Sequence, residues 1–335
     1  MTRTIRLPVA PRPFRDELLS SWMARVAGRY GLEPQILSSF LAGQGGEIRR
    51  VDDMEPDPGL LQLWARVCRI DPARLTRLSL VVRYPDRPRS WLVGDTEGPV
   101  PSCLTCFDAD WAAQRDSHMR ARWRLADQIV CPDHREMLQD RCPCCRGRLR
   151  VSLRIRGSLL RPFCDNCDGL LTGRGGDQED RSVPAFADLA LDLQRQVGRI
   201  IRADADHCAR LEAAICTLWA PLDRTGAARP VLALWLEQPG WHCPVEVRSA
   251  VGTPAPFQHL PVHWRTLTLV VLRDLFGAEL VCDTAMPEAA HNLFRRAAPM
   301  PWRHQDRTTG VRTRTTSEED ISNRVRRLSK NPVHR

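Results

Sequence analysis

Four residue pairs, Cys103/Cys106, Cys131/His134, Cys142/Cys145 and Cys164/Cys167, follow one another in this chain, each with two intervening residues. A turn that short aims both side chains at one ion, and a second pair from elsewhere completes a tetrahedron. The chemistry these residues can do is therefore to hold Zn2+, and eight ligands suit two ions. Sequential pairing gives one site of three cysteines and a histidine and one of four cysteines. The interleaved order of a RING-like module would join the first pair to the third and the second to the fourth. Sequential pairing is preferred, because Leu149, Val151, Leu153 and Ile155 alternate with Arg150, Ser152 and Arg154, as a half-exposed strand between two knuckles of one ribbon should. The spacing from Cys142 selects Cys145 and leaves Cys144 as a reducible bystander.

Sites with four protein ligands are closed, whereas a catalytic zinc needs an open position. His134-Arg135-Glu136 resembles the His-x-Glu of nucleobase deaminases, but the Pro-Cys-x-x-Cys that must accompany it fails where Pro143-Cys144 leads to Gly147. No Gly-rich phosphate loop occurs in the sequence. The expectation is two structural zinc ions, coupled to the folding of units too small to bury enough core, and no enzyme activity. His207, Cys208, Cys216, Cys243 and Cys282 are scattered and read as structural; Trp64, Trp219, Trp235 and Trp264 read as core.

The formal net charge of +9 favours polyanionic partners, and all the basic side chains except Lys330 are arginines. A GC-rich genome accounts for that bias as well as function does. Between Arg141 and Phe163, however, stand Arg141, Arg146, Arg148, Arg150, Arg154, Arg156 and Arg161 with no acidic residue. This stretch is expected to present a basic face to phosphates or to a guide-RNA complex, against the plainer reading of a solvated face.

The elements that must position these residues are mainly helical. After Asp16, a plausible N-cap, Leu18, Trp22, Val26 and Tyr30 recur every fourth residue up to Gly31. A second apolar helix with Ile36, Leu37, Phe40 and Leu41 follows Pro34, so residues 1–82 read as a helix-turn-helix-like unit, with further helices at Leu60–Val67 and Ala73–Leu80. Residues 83–101, which contain Trp91, read as a linker, 102–172 as a tandem zinc-binding module of small β ribbons, and 173–182 as a second linker. Residues 183–302 read as a C-terminal helical domain, with helices on Phe186, Leu189, Leu193, Val197 and Ile200, on Leu211, Ile215 and Leu218, and from Pro261 to Phe276. Residues 303–335 form a basic tail of low apolar content. The N-terminus lacks an apolar h-region, and no apolar run reaches membrane-spanning length. Thirteen cysteines are then expected to be reduced, in a cytoplasmic, nucleoid-associated protein.

Two stretches resemble the TniQ family: Asp16-Glu17-Leu18-Leu19-Ser20-Ser21-Trp22 with Arg25, and Arg122-Trp123-Arg124-Leu125 leading into Cys131-Pro-Asp-His134 and Cys142-Pro-Cys-Cys145. The likeness covers the chain to about residue 170. It implies an accessory protein of DNA transposition, related to TnsD-like proteins, that helps select the insertion target and couples it to an AAA+ ATPase and a transposase. Its target-defining partner would be DNA or an RNA-guided complex, which some relatives bind as head-to-tail dimers, so a homodimer is a further expectation. The alternative is a zinc-containing, DNA-binding transcription regulator.

Overall fold

The computed structural model describes residues 6–43, 51–93, 99–172, 184–222, 229–236, 243–277 and 280. Cys282, the expected linker 173–182 and the basic tail lie outside the described residues. Within them the chain is mainly helical, with eleven α-helices and one two-stranded antiparallel sheet. No helix among them is long and apolar enough to cross a membrane.

Helix α1 spans Leu19–Gly28, with Leu18 in the N-cap position. The expected face is buried, since Leu18, Trp22, Val26 and Tyr30 are all inaccessible to solvent or nearly so. Asp16, in contrast, does not cap the helix. Residues 16–18 are drawn into strand-like pairing with 119–121, the Leu18 N–H donating to the Met119 carbonyl at 3.0 Å and the Ala121 N–H to that of Asp16 at 2.7 Å. The cap arrives from a distant loop instead: buried Asp53 accepts the Ser20 N–H at 2.8 Å and the Ser20 hydroxyl at 2.6 Å. Gly31, at φ +64°, turns the chain into α2 (Pro34–Ala42). Helix α3 (Pro58–Cys68) is capped by Asp57 and closes this core with Trp64, whose ring meets that of Trp22 edge-on at 5.7 Å.

The helix expected over Ala73–Leu80 is broken in two, α4 (Pro72–Thr76) and α5 (Leu80–Arg83). The break arises where the Leu80 N–H leaves the helical ladder and donates to the Asp53 carbonyl at 2.7 Å. The stretch expected as a linker is also corrected over its described part. Trp91 and Leu92 are 2% and 1% exposed, Trp91 packs on Phe257 at 5.5 Å, and Leu92 bridges Leu125. Burial of an indole anchors this segment against both neighbouring regions.

Helix α6 (Leu104–Ala112) precedes the sheet, β1 (Val151–Arg156) paired with β2 (Leu159–Cys164) so that Val151 faces Cys164 and Arg156 faces Leu159. The C-terminal elements are α7 (Pro184–Ala203), α8 (Ala205–Leu218), α9 (Leu232–Trp235), α10 (Pro256–His259) and α11 (Val262–Phe276), ended by Gly277. Leu193, Val197, Leu211, Ile215 and Leu218 are buried as their spacing requires, while Phe186 is left 39% exposed at the start of α7. Trp64, Trp219 and Trp264 are core residues, and Trp235 packs against the core.

The largest core does not respect the expected boundary between residues 102–172 and 183–302. Trp91, Cys103, Cys106, Phe107, Trp123 and Cys131 share one cluster with α7, α8 and α11, whereas Cys142, Leu149, Cys164 and Leu171 form a small cluster of their own. A short chain segment lowers its exposed apolar area most by joining a large core. The first cysteine region had one within reach.

Candidate metal centres

The four pairs come together in sequential order. Cys103, Cys106, Cys131 and His134 form one group, and Cys142, Cys145, Cys164 and Cys167 a second; within each, the ligand atoms all lie within 4.8 Å of one another. In the first group the Cys106 and Cys131 sulfurs are 3.7 Å apart. His134 turns Nδ1 to the sulfurs of Cys103 and Cys106 at 3.4 Å and of Cys131 at 3.6 Å. In the second group Cys142 and Cys167 are 3.8 Å apart, and Cys145 and Cys164 3.9 Å. A tetrahedron with metal–sulfur bonds of about 2.3 Å has edges of about 3.8 Å, so both groups suit a tetrahedral ion held by four protein ligands.

Three of the pairs use one backbone device. In the turns that begin at Cys131, Cys142 and Cys164, the first cysteine's N–H donates to the carbonyl five residues on, at 2.8 Å each time. Its carbonyl accepts the N–H four residues on, from Arg135, Arg146 or Asp168. Those three residues take left-handed φ values of 54°, 58° and 56°. Such a conformation strains a residue other than glycine by roughly 1 kcal/mol or more, and the two hydrogen bonds hold it. Each turn is closed by a bridge, Val130 with Met137, Arg141 with Arg148 and Phe163 with Leu170. The fourth pair is built differently: Cys103 is the N-cap of α6, and its sulfur accepts the Cys106 N–H at 3.4 Å.

Crowded thiols resist ionising together, and the first group shows it. Hydrogen bonds from Cys103 and Cys106 pull the Cys131 thiol far down, and the Cys103 thiol is pushed far up by its bonds to Cys106 and Cys131. For Cys106, the bond with Cys103 pulls downward, but the bond with Cys131 and burial outweigh it and raise the thiol to about 12. A divalent cation resolves this conflict by stabilising all three thiolates. The Glu136 carboxylate, the one a deaminase would need beside its metal, is engaged at 2.5 Å by the Thr105 hydroxyl.

The two groups differ in access. Cys103, Cys106 and Cys131 are buried, whereas Cys145, Cys167 and the neighbouring Cys144 are exposed. Cys208 and Cys243 are buried and Cys216 half-buried, in keeping with a structural role. His207 pairs with Asp204 at the start of α8.

The expected arginine face is only partly formed. Arg161 is 3% exposed, lies over the Trp111 ring at 4.4 Å and donates to the Arg115 carbonyl at 2.8 Å. Arg148 is half-buried, and burial lowers its guanidinium below the usual range. Arg141 pairs with Glu246, and Arg154 with Asp168 at 2.6 Å and Asp165 at 3.5 Å. These carboxylates lie outside residues 141–163 in sequence, which is why the window looked uncompensated. Arg146, Arg150 and Arg156 remain exposed alongside Arg154.

A second set of residues was given no role by the sequence reading, although two of them, Glu17 and Arg25, lie in the stretch that resembles the TniQ family. The Arg25 guanidinium donates to both oxygens of Glu17 at 2.7 and 2.8 Å, to Asp116 at 3.0 Å and to the Arg12 carbonyl at 2.8 Å. Asp116 also accepts Arg29 and the Leu160 N–H, the latter at 3.0 Å. Arg25, Glu17 and Asp116 are all buried, and Asp116 thereby ties α1 to β2. A signal for Arg25 existed, because it falls on the Leu18-Trp22 face of its helix. Nothing local marked Asp116.

A search of curated proteins finds no match. The family model TniQ matches residues 8–138, from the segment before α1 to just past the first metal group. The match takes in Glu17, Arg25 and Asp116 together with Cys103, Cys106, Cys131 and His134, and ends before Cys142. Over residues 8–138 the chain is therefore similar to the TniQ family, a likeness that points to a transposition-associated protein.

Proposed function

We propose that this chain is a non-catalytic adaptor of DNA transposition that helps select the insertion target and couples it to an AAA+ ATPase and a transposase. The observation that carries the reading is the TniQ match over α1 to α6 and the first metal group. Each group holds one Zn2+, through Cys103, Cys106, Cys131 and His134 and through Cys142, Cys145, Cys164 and Cys167. Bound zinc supplies folding free energy to these turns. Four protein ligands leave no position for an activated water, which supports a structural rather than a catalytic ion.

The exposed side of β1 supports a contact with phosphates of target DNA or of an RNA-guided complex. Arg156 at the end of β1, Arg150 just before the strand and Arg146 in the preceding cysteine turn are the leading residues, Arg154 contributes once its carboxylate pairs give way, and half-buried Arg148 and buried Arg161 serve the fold. The turn between α1 and α2 keeps a helix-turn-helix-like role as a second target-facing surface. The face of the protein opposite β1 then remains for the ATPase, and a homodimer would double each contact.

The test is an insertion assay that combines this chain with a transposition AAA+ ATPase and transposase of its own element. Removing the chain is expected to abolish targeted insertion, and purified chain should retain the ATPase on an affinity matrix. Arg150→Glu with Arg156→Glu should weaken target binding by about tenfold or more and shallow its salt dependence by one to two counterions, with both zinc ions retained. Targeted insertion that proceeds unchanged without the chain would overturn the adaptor reading. Unchanged binding and salt slope in the double variant would reduce the arginine face to solvated charge.

A further inference from the structure

Five cysteines stand in or beside the second metal group, although an ion takes four. Its two turns are related by an approximate two-fold repeat: Cys142 corresponds to Cys164, Cys145 to Cys167 and Gly147 to Gly169, which places Cys144 where the other turn has Asn166. Asn166 has a structural task, its amide donating to the Arg148 carbonyl at 2.8 Å. The Cys144 side chain instead lies against the opposite turn. A Cβ placed on Gly169 would stand 3.2 Å from the Cys167 sulfur and 3.3 Å from the Cys144 sulfur, so the two sulfurs flank the same bare glycine. The corresponding spot at Gly147 is flanked by Asn166 and Cys145. Both Cys144 and Cys167 are exposed, while three of the four ligands in the first group are buried.

The geometry points to Cys144 as an oxidation site that opens the second zinc centre by forming a disulfide with Cys167. The inference rests on the assignment of zinc to the second group. In the first step the Cys144 thiol attacks a hydroperoxide: the O–O bond breaks, an S–O bond forms, and the peroxide leaves as water or alcohol with Cys144 as a sulfenic acid. The Cys167 thiolate then attacks that sulfur. An S–S bond forms, the S–O bond breaks, and the departing hydroxide takes a proton to become water. Two thiol sulfurs lose two electrons in total, and the peroxide gains them. A disulfide needs an S–S bond of about 2.05 Å, and the two sulfurs would approach it across a glycine that puts no side chain between them. The bond of Cys167 to the ion is broken in this step, the three remaining protein ligands no longer hold the ion against a chelator, and a thiol reductant with added zinc restores the four-ligand site.

The full-length zinc-loaded chain tests this with hydrogen peroxide, a chromogenic chelator to follow released zinc, and mass spectrometry of the peptides. Before oxidant, metal analysis should return two zinc ions; fewer would defeat the zinc assignment itself, separately from the oxidation step. On oxidation the chain is expected to release one zinc ion with a Cys144–Cys167 disulfide, and reductant with zinc should reverse the change. Cys144→Ser and Cys144→Ala should both keep two zinc ions and release zinc at least about tenfold more slowly, because they remove the unligated thiol that stands beside the second group to start the exchange. Release at the wild-type rate in both variants, or a disulfide that excludes Cys144, would overturn the inference. So would loss of a zinc ion from both variants before oxidant, which would make Cys144 a ligand.

Discussion

Replacing Arg25 with methionine removes a cation that pairs with both Glu17 and Asp116 while keeping much of the apolar volume of the stem. The two carboxylates then fare differently. Asp116 keeps Arg29 and the Leu160 N–H. Glu17 is fully buried and keeps only the Phe14 N–H at 3.0 Å and the Ser21 hydroxyl at 3.1 Å, with no counter-charge among the residues hydrogen-bonded to it. The guanidinium also leaves the face of Phe14, 4.2 Å away. Breaking a buried pair by deleting one partner costs about 3–5 kcal/mol, and the stranded charge is chiefly Glu17, so about 3 kcal/mol is expected. In native-state hydrogen exchange at fixed zinc, α1 amides should exchange roughly 150-fold faster, since each 1.4 kcal/mol is a factor of ten. Adding Glu17→Gln to Arg25→Met should recover about half of the loss by removing the stranded charge. A change below about 1 kcal/mol in the single variant, or no relief in the double, would refute the claim that this pair is uncompensated without Arg25.

Four further outcomes follow from the packing. Cys131→Ser and Cys164→Ser should each remove one zinc ion but with unequal consequences: protease should cut Cys131→Ser from Trp91 through α11, whose core includes Cys131, and Cys164→Ser only around residues 141–172. A chelator should strip the wild-type chain in two phases, the exposed second site first, and mass spectrometry of the intermediate reads which site is empty. Gly28→Ala places a Cβ 2.6 Å from the tip of Leu160, so overpacking should cost about 1–3 kcal/mol at the α1–β2 contact, seen as faster exchange there alone. Trp91→Ala should cost about 3–5 kcal/mol by opening a cavity beside Phe257, whereas a true linker position would tolerate it within about 0.5 kcal/mol of wild type in a thermal melt.

What the sequence made legible was whatever is encoded by short-range repetition. The Leu18, Trp22, Val26 and Tyr30 stripe is a local property of one helix, and its burial follows wherever that helix docks. The two-residue cysteine spacings are equally local, because the turn that aims both ligands is closed by hydrogen bonds spanning four and five residues. The strand pattern was legible only in part: Leu149 is buried and Val151 and Leu153 half-buried, but Ile155 is exposed, since β1 runs past the body it packs against. The sheet behind it has only one further strand to cover that end.

The misreadings share a physical cause, which is pairing between residues far apart in the chain. Asp16 carries the right side chain for a cap, yet the backbone around it is claimed by residues 119–121, and Asp53 caps the helix from 33 residues away. Arg154 and Arg141 looked uncompensated because Asp168 and Glu246 lie beyond the window in which charge was counted. Trp91 lay among prolines and read as linker, but an indole with a distant aromatic partner gains more from burial than a flexible tether gains in entropy. Asp116 is the limiting case. Its importance consists wholly of Arg25, Arg29 and Leu160, which are at least 44 residues distant, so no window on the sequence contains the reason for it. A buried ion network of this kind adds little net stability, because desolvation offsets the attraction. Its geometry instead fixes an orientation: the Asp116 oxygens meet the α1 arginines and the β2 backbone together only when helix and hairpin stand at one angle. Metal held by the two Cys/His groups would keep each turn closed, whereas the angle between the helical unit and the arginine-bearing hairpin depends on this network.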